Sequence, residues 1–143
     1  MIGLKNKKEV TLMSKHNIKK IAIILAHAFV GWALCGAIMF IGMEVTSLQT
    51  TLIAHAIGAP IIFAMVSWIY FRKFSYTTPL KTAIIFLSFV VIIDFFVVAL
   101  MINHSLDMFR DWLGTWLPFV LIISSTYMTG LCTKKYSISR GVI

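Results

Sequence analysis

An acidic residue lies in the middle of a long apolar stretch, where a charge is most costly. Asp94 is surrounded by Ile92, Ile93, Phe95 and Phe96. A carboxylate at the centre of a membrane-spanning helix costs about 2.5 kcal/mol or more unless it is paired, protonated or facing water. Asp94 is therefore the first candidate for a functional site. The alternative is a structural role, in which a protonated or hydrogen-bonded carboxyl group ties two helices together.

A histidine in another apolar stretch is the expected partner of this acid. At 1.5 Å per residue, His55 lies about 20 Å and Asp94 about 18 Å from the same membrane face. A carboxylate fixes the tautomer of a neighbouring histidine and raises its basicity, which suits proton relay or metal ligation. We therefore predict an intramembrane site formed by His55 and Asp94. The alternative is a neutral His55 bonded to one backbone carbonyl or hydroxyl group.

A second histidine lies lower, in the first apolar stretch. His27 is about 9 Å from the inner face, so its depth differs from that of His55 by about 10 Å or more. A haem held by both rings would require more similar depths, and none is predicted. His27 is a secondary candidate that is expected to form a hydrogen bond to the fourth stretch, near Ser125, Thr126 and Thr129.

Several polar side chains rim the opposite end of the apolar stretches, namely Glu44, Gln49, Asn103 and His104. They are interpreted either as a mouth that leads towards Asp94 or as solvated loop edges. Glu44 and His104 are the secondary site candidates among them. His104 and Asp107 alone do not make a metal site, because a metal ion needs more ligands. No metal site and no cofactor is predicted.

The two cysteines do not suggest a disulfide. Cys35 lies past the middle of the first apolar stretch and Cys132 near the inner end of the fourth, so their depths differ by roughly 20 Å. A disulfide requires Cα atoms within about 7 Å of each other. Both side chains are expected to be buried thiols that pack as small hydrophobic groups.

Four long apolar stretches position these residues in a chain of 143 residues with 59% hydrophobic content. Each exceeds the roughly 20 residues that a hydrocarbon core of about 30 Å requires. Only helices and closed barrels satisfy the backbone in lipid, and the lack of period-two alternation excludes a barrel. The predicted fold is an all-α membrane protein, an up-down-up-down bundle of four transmembrane helices in which consecutive helices are antiparallel neighbours. The spans are residues 21–43, 47–71, 82–103 and 112–133.

The positive charges determine the predicted orientation. Six lysines precede the first span, three cations lie between the second and third, three follow the fourth, and Arg110 is the exception among the thirteen. By the positive-inside rule, both termini are predicted to be cytoplasmic. The chain is divided into a basic cytoplasmic tail at 1–20, the transmembrane domain at 21–133 and a short basic cytoplasmic tail at 134–143. Translation from Met13 would shorten the first tail.

A formal net charge of +8 resembles that of nucleic-acid-binding domains, but here the cations cap the ends of apolar stretches. The predicted partners are therefore anionic lipid headgroups at the cytoplasmic face, with no nucleic acid. A four-span bundle leaves little room for an aqueous path, which favours a homo-oligomer or a membrane partner subunit. The expected location is the bacterial cytoplasmic (inner) membrane.

Three functions remain open at this point. The first is a small proton-linked transporter or permease in which Asp94 and His55 titrate. The second is a small membrane enzyme for a lipid-soluble substrate, with the same residues as general acid and base. The third is a non-catalytic accessory or assembly subunit, in which they bind a partner helix. The chain has no serine-hydrolase, zinc-protease or nucleotide-binding motif, which favours a role other than an enzyme.

Overall fold

The computed structural model describes residues 2–102 and 104–139, with side chains for 15–102, 104–107 and 109–135. All regular secondary structure in these residues is helical, which confirms the predicted class for the described part of the chain. The elements are α1 (Ile2–Val45), α2 (Leu48–Lys73), α3 (Pro79–Ile93), a π-helical segment that continues α3 (Asp94–Ile102), a 3-10 turn (Asp107–Arg110), a second π-helical segment (Trp112–Trp116) and α4 (Leu117–Ser139).

Four helical stretches are long and apolar enough to cross a membrane, and they correspond to the four predicted spans. α1 extends back to Ile2, so the predicted tail at 1–20 continues the first span as helix. Large apolar side chains are exposed on every stretch, as expected for surfaces that meet lipid tails; Phe40, Met65 and Val120 are examples. The four stretches are Lys15–Val45, Leu48–Lys73, Pro79–Ile102 and Trp112–Lys135.

Side-chain caps define where α2 and α3 begin. Ser47 Oγ accepts a hydrogen bond from the Thr50 N–H (3.3 Å), and Thr78 Oγ1 accepts one from the Lys81 N–H (3.4 Å). Pro79 lies in the first turn of α3, where its missing N–H is not needed, because the first amides of a helix have no partner within it. These caps fix the short loops that connect α1 to α2 and α2 to α3.

The spans form a closed ring in which α1 packs against α2 and α3, and α4 packs against the same two helices. α2 and α3 therefore lie across the ring from each other, although the short loop between them suggested side-by-side neighbours. They meet through aromatic side chains: the Phe86 ring centroid lies 5.9 Å from that of Phe63 and 6.3 Å from that of Tyr70. All three side chains are fully buried, so aromatic rings fill the centre of the bundle.

Glycines let α1 and α2 approach each other closely. A methyl group at Gly31 would lie 2.9 Å from Phe63 Cζ, and one at Gly42 would lie 2.5 Å from Thr51 Cγ2. Both distances are well below the separation of about 3.5 Å or more that nonbonded carbon atoms prefer. Small residues at these positions allow the close helix packing that is typical of membrane proteins.

Candidate functional site

Asp94 lies where α3 changes its hydrogen-bond pattern. The Asp94 N–H donates to both the Val90 and the Val91 carbonyls. The nine residues from Asp94 to Ile102 are π-helical. The Asp94 carboxylate Oδ1 accepts a hydrogen bond of 2.8 Å from the indole Nε1 of Trp32 on α1. π-helical segments are rare and are found frequently at functional sites. The sharpest candidate of the sequence analysis is thus held by a side chain of another helix.

Trp32 was not among the predicted site residues. Its indole has a single donor and no acceptor, so a buried Trp must find an oxygen atom at its own depth. Counted from Ile21, Trp32 lies about 17 Å along the first span, which matches the depth of about 18 Å for Asp94. A depth count for tryptophans, like that for the histidines, therefore identifies the pair.

His55 has different surroundings. Its ring lies close to the backbone of Cys35 on α1, and its Nδ1 is buried without a hydrogen-bond partner among the described residues. No hydrogen bond or ion pair joins the His55 ring to the Asp94 carboxylate in this part of the chain. α2 and α3 lie across the ring from each other, so a joint site of the two residues would have to form across the bundle. What the two residues do remains a prediction.

Cys35 lies between the two candidates. Its side chain is buried, at 5% exposure. Its backbone lies close to the His55 ring, and its sulfur is close enough to interact electrostatically with the Asp94 carboxylate. Trp32 and Cys35 are three residues apart and therefore share a face of α1. The arrangement is a row of polar groups from α2 through α1 to α3. The expectation of a buried thiol is confirmed for Cys35, whereas Cys132 is exposed.

His27 is held by its own helix and by aromatic rings. Its Nδ1 lies 2.8 Å from the Ile23 carbonyl oxygen, and its ring makes edge contacts with Tyr70 and Phe74, at centroid distances of 5.6 and 5.4 Å. Within the described residues, no hydrogen bond joins the His27 side chain to the fourth span. His27 therefore packs at the end of α2 and is separate from the row around Cys35.

The remaining candidates are at the other end of the bundle. Glu44 and His104 are exposed, and neither has a hydrogen-bond or ion-pair partner within the described residues. His104 has a φ of 51°, in the left-handed region that suits a sharp turn after the third span. Asp107 forms an exposed ion pair with Arg110 (3.8 Å). Asn103 lies outside the described residues. These side chains match the solvated interpretation more closely than that of a mouth.

An open apolar groove of about 490 Å³ lies between α1 and α2. Leu34 and Ala54 in its wall are the sequence neighbours of Cys35 and His55. The side chains of Cys35 and His55 are not part of the groove lining, and the groove is open on one side. Threonines line part of the groove, whose residues are Leu34, Ala37, Ile38, Ile41, Gly42, Thr46, Thr50, Thr51, Ala54 and Ile62.

Within the described residues, the candidate site offers individual titratable side chains. The described residues contain no set of three or more His, Cys, Asp or Glu side chains placed to hold a metal ion. Comparisons of the chain with protein-family models, with curated proteins and with solved structures found no match. The functional proposal therefore comes from the carboxyl group, the imidazole and the space around them.

Proposed function

We propose that the protein is a small proton-linked transporter of the bacterial cytoplasmic membrane, in which Asp94 binds and releases the coupled proton. The hydrogen bond from Trp32 to Asp94 Oδ1 supports this proposal most directly. Within the described residues it is the only hydrogen bond that the carboxylate accepts from a side chain. An ionised carboxylate with one donor is poorly solvated in a low-dielectric interior. Protonation of the second oxygen relieves that cost without breaking the bond to Trp32.

The π-helical segment supports a coupled movement. A π turn contains one residue more than the α turn that it replaces, so a small shift in hydrogen-bond register can rotate the side chains that follow. Asp94 is the first residue of this segment. In the proposed mechanism, protonation of Asp94 changes its interaction with Trp32 and biases the segment between two registers.

We propose an up-down-up-down topology with both termini in the cytoplasm. The contacts of α1 and α2 support it, because they move from Phe63 back to Thr51 as α1 advances from Gly31 to Gly42. The distribution of the thirteen cations supports the orientation. A reporter fused after Lys135 should be cytoplasmic, and one inserted near Asp107 external. An external reporter after Lys135 would contradict the orientation.

The transporter is proposed to work as a homo-oligomer or with a membrane partner subunit. Aromatic side chains fill the centre of the bundle, at Phe63, Tyr70 and Phe86. A solute path is therefore placed along an outer face of the bundle, where a second subunit completes it. The anionic headgroups of the cytoplasmic leaflet are the proposed lipid partners of the basic ends.

The central test is proton movement in proteoliposomes that contain a pH-sensitive dye. Small solutes are screened for those that cause internal acidification with the wild-type protein. Asp94→Asn should abolish this signal, because the amide retains an oxygen for Trp32 but cannot exchange a proton. Its free energy of unfolding should fall by no more than about 0.6 kcal/mol, the average for an interhelical hydrogen bond in a membrane, because the bond to Trp32 is retained.

Two control variants accompany this test. Asp94→Glu keeps a carboxyl group and should retain part of the signal. Asp107→Asn removes an exposed acid at the end of the bundle and should leave the signal unchanged. Full acidification by Asp94→Asn would contradict the transport proposal and favour the accessory-subunit alternative.

The apolar groove favours a second candidate function, a membrane enzyme that acts on a lipid-soluble substrate. The groove is lined by the sequence neighbours of Cys35 and His55, Leu34 and Ala54, and its threonines could bind the polar group of such a molecule. A photoactivatable isoprenoid alcohol should label Ile38 or Ala54 if this is correct. Labelling confined to the exposed face of α3 would contradict the second candidate.

A further inference from the structure

A second cavity, of about 320 Å³, lies where α2, α3 and α4 meet. It is at the end of the bundle that carries most of the cations. The loop between α2 and α3 forms one wall, and the end of α4 forms the other. Its polar lining consists of side-chain hydroxyls and one amine, from Ser75, Tyr76, Thr77, Thr78, Thr133 and Lys134. This composition offers hydrogen-bond donors and one positive charge.

Hydrogen bonds hold the loop in place. Thr77 Oγ1 lies 3.0 Å from the Tyr70 hydroxyl and 2.7 Å from the Thr82 hydroxyl. Thr78 caps α3, and the Ser75 N–H donates to the Tyr70 carbonyl (3.1 Å). The wall of the cavity is therefore ordered before a ligand binds, which reduces the entropic cost of binding.

The electrostatics of this cavity favour an anion. α3 begins here, and the start of a helix carries a partial positive charge. Lys134 is at the rim, and the Lys20 ammonium lies 5.7 Å from the centroid of the Tyr76 ring. The chain has five acidic residues, which are Glu9, Glu44, Asp94, Asp107 and Asp111. Among the four acidic residues whose side chains are described, Glu44, Asp94, Asp107 and Asp111, none lines the cavity.

We propose that this cavity binds a phosphate group, either in the headgroup of an anionic phospholipid or in a free phosphate. Lys134 supplies the charge, and the Ser75 hydroxyl supplies a hydrogen bond. The Thr133 hydroxyl donates to the Thr129 carbonyl (2.8 Å) and lines the cavity without donating to the ligand. Phosphate is the anion that this mixture of hydroxyl donors, one ammonium group and a helix start recognises well. The site is distinct from Asp94, and its existence does not depend on the transport proposal.

The experiment compares two neighbouring lysines of the full chain in detergent. Lys134 lines the cavity, whereas Lys135 is exposed and does not. Native mass spectrometry measures the binding of palmitoyl-oleoyl phosphatidylglycerol, with the zwitterionic phosphatidylcholine as the headgroup control. Lys134→Gln should weaken phosphatidylglycerol binding about fivefold and Lys135→Gln less than about twofold, since one cation near an anionic headgroup has an effect of this size.

A second variant tests the hydroxyl group without reducing the charge. Ser75 has a φ of 46°, a conformation that glycine adopts more readily. Ser75→Gly should therefore fold at least as well as the wild type, yet bind phosphatidylglycerol roughly threefold more weakly, as expected for the loss of one neutral hydrogen bond.

The two sources of phosphate are distinguished by a parallel titration with inorganic phosphate, followed by phosphorus NMR. Saturable phosphatidylglycerol binding that inorganic phosphate does not displace supports a lipid headgroup. Displacement by millimolar inorganic phosphate, lost in Lys134→Gln, supports a free phosphate. Equal effects of Lys134→Gln and Lys135→Gln, or no binding of either probe, would overturn the proposal.

Discussion

Asp94 and His55 both project from membrane-spanning helices and both have their partners on α1, but the partners differ in kind. The Asp94 carboxylate accepts a hydrogen bond from a side chain, the indole of Trp32. The His55 ring interacts with backbone, at Cys35, and keeps a buried nitrogen without a partner among the described residues. The acid is therefore tied to a particular residue, whereas any residue at position 35 would supply the same carbonyl group.

This difference predicts unequal consequences when the polar partner is removed. A side-chain donor can be deleted by substitution, and a backbone acceptor cannot. Removal of a donor also leaves a buried oxygen unsatisfied, which costs more than the hydrogen bond itself contributes. The region around Asp94 should therefore respond strongly to mutation of α1, and the region around His55 weakly.

The largest effect on stability is expected for Trp32→Phe. The substitution keeps an aromatic ring but removes the donor to Asp94, so the free energy of unfolding should fall by about 1 to 3 kcal/mol. Denaturant unfolding in detergent measures the change. Trp112→Phe is the matched control, because Trp112 is 65% exposed and should contribute little. Equal losses of unfolding free energy in the two variants would mean that the hydrogen bond to Asp94 adds nothing to stability.

An intermediate effect is expected in the reactivity of the thiols. Cys35 is buried and Cys132 is exposed, so N-ethylmaleimide should label Cys132 roughly ten times faster or more, since a buried thiol reacts only when the helices open. Trp32→Phe should speed the labelling of Cys35, which lies on the same face of α1, whereas His55→Leu should not. Rapid labelling of Cys35 in the wild type would show that the row of polar groups is open.

The smallest effect is expected for His55→Leu. A leucine of similar size removes the buried nitrogen that has no partner and retains the packing against α1. Replacement of an incompletely satisfied polar group by an apolar one is often close to neutral, so the free energy of unfolding should change by about 0.5 kcal/mol or less. His55→Gln, which keeps a polar group, serves for comparison. A loss larger than that of Trp32→Phe would reverse the ranking of the two regions.

Much of the architecture could be predicted from charge and hydropathy. Lys19 and Lys20 before the first span, and Arg72 and Lys73 after the second, bound the apolar stretches because charged groups remain outside the hydrocarbon. The caps at Ser47 and Thr78 were not predicted individually, but they lie within a few residues of the predicted boundaries. The boundaries of the spans depend on local composition, which can be read directly from the sequence.

The partners of the site could not be predicted in the same way. His55 was paired with Asp94 on the assumption that consecutive helices are neighbours, whereas backbone packing joins α1 to both α2 and α3. The order of helices around a bundle depends on which faces interlock, as at Gly31 and Phe63. The π-helical segment was also missed, because its residues are as apolar as those of the α-helix before it and hydropathy carries no information on hydrogen-bond register.

The aromatic centre of the bundle has a genetic consequence. Phe63, Tyr70 and Phe86 fill the centre of a single copy, which is why the proposed path lies at a boundary shared between chains. A defective copy would then disable the intact copies with which it assembles. Co-expression of Asp94→Asn with the wild-type protein should be dominant-negative, with residual activity that falls below the fraction of wild-type chains in the mixture.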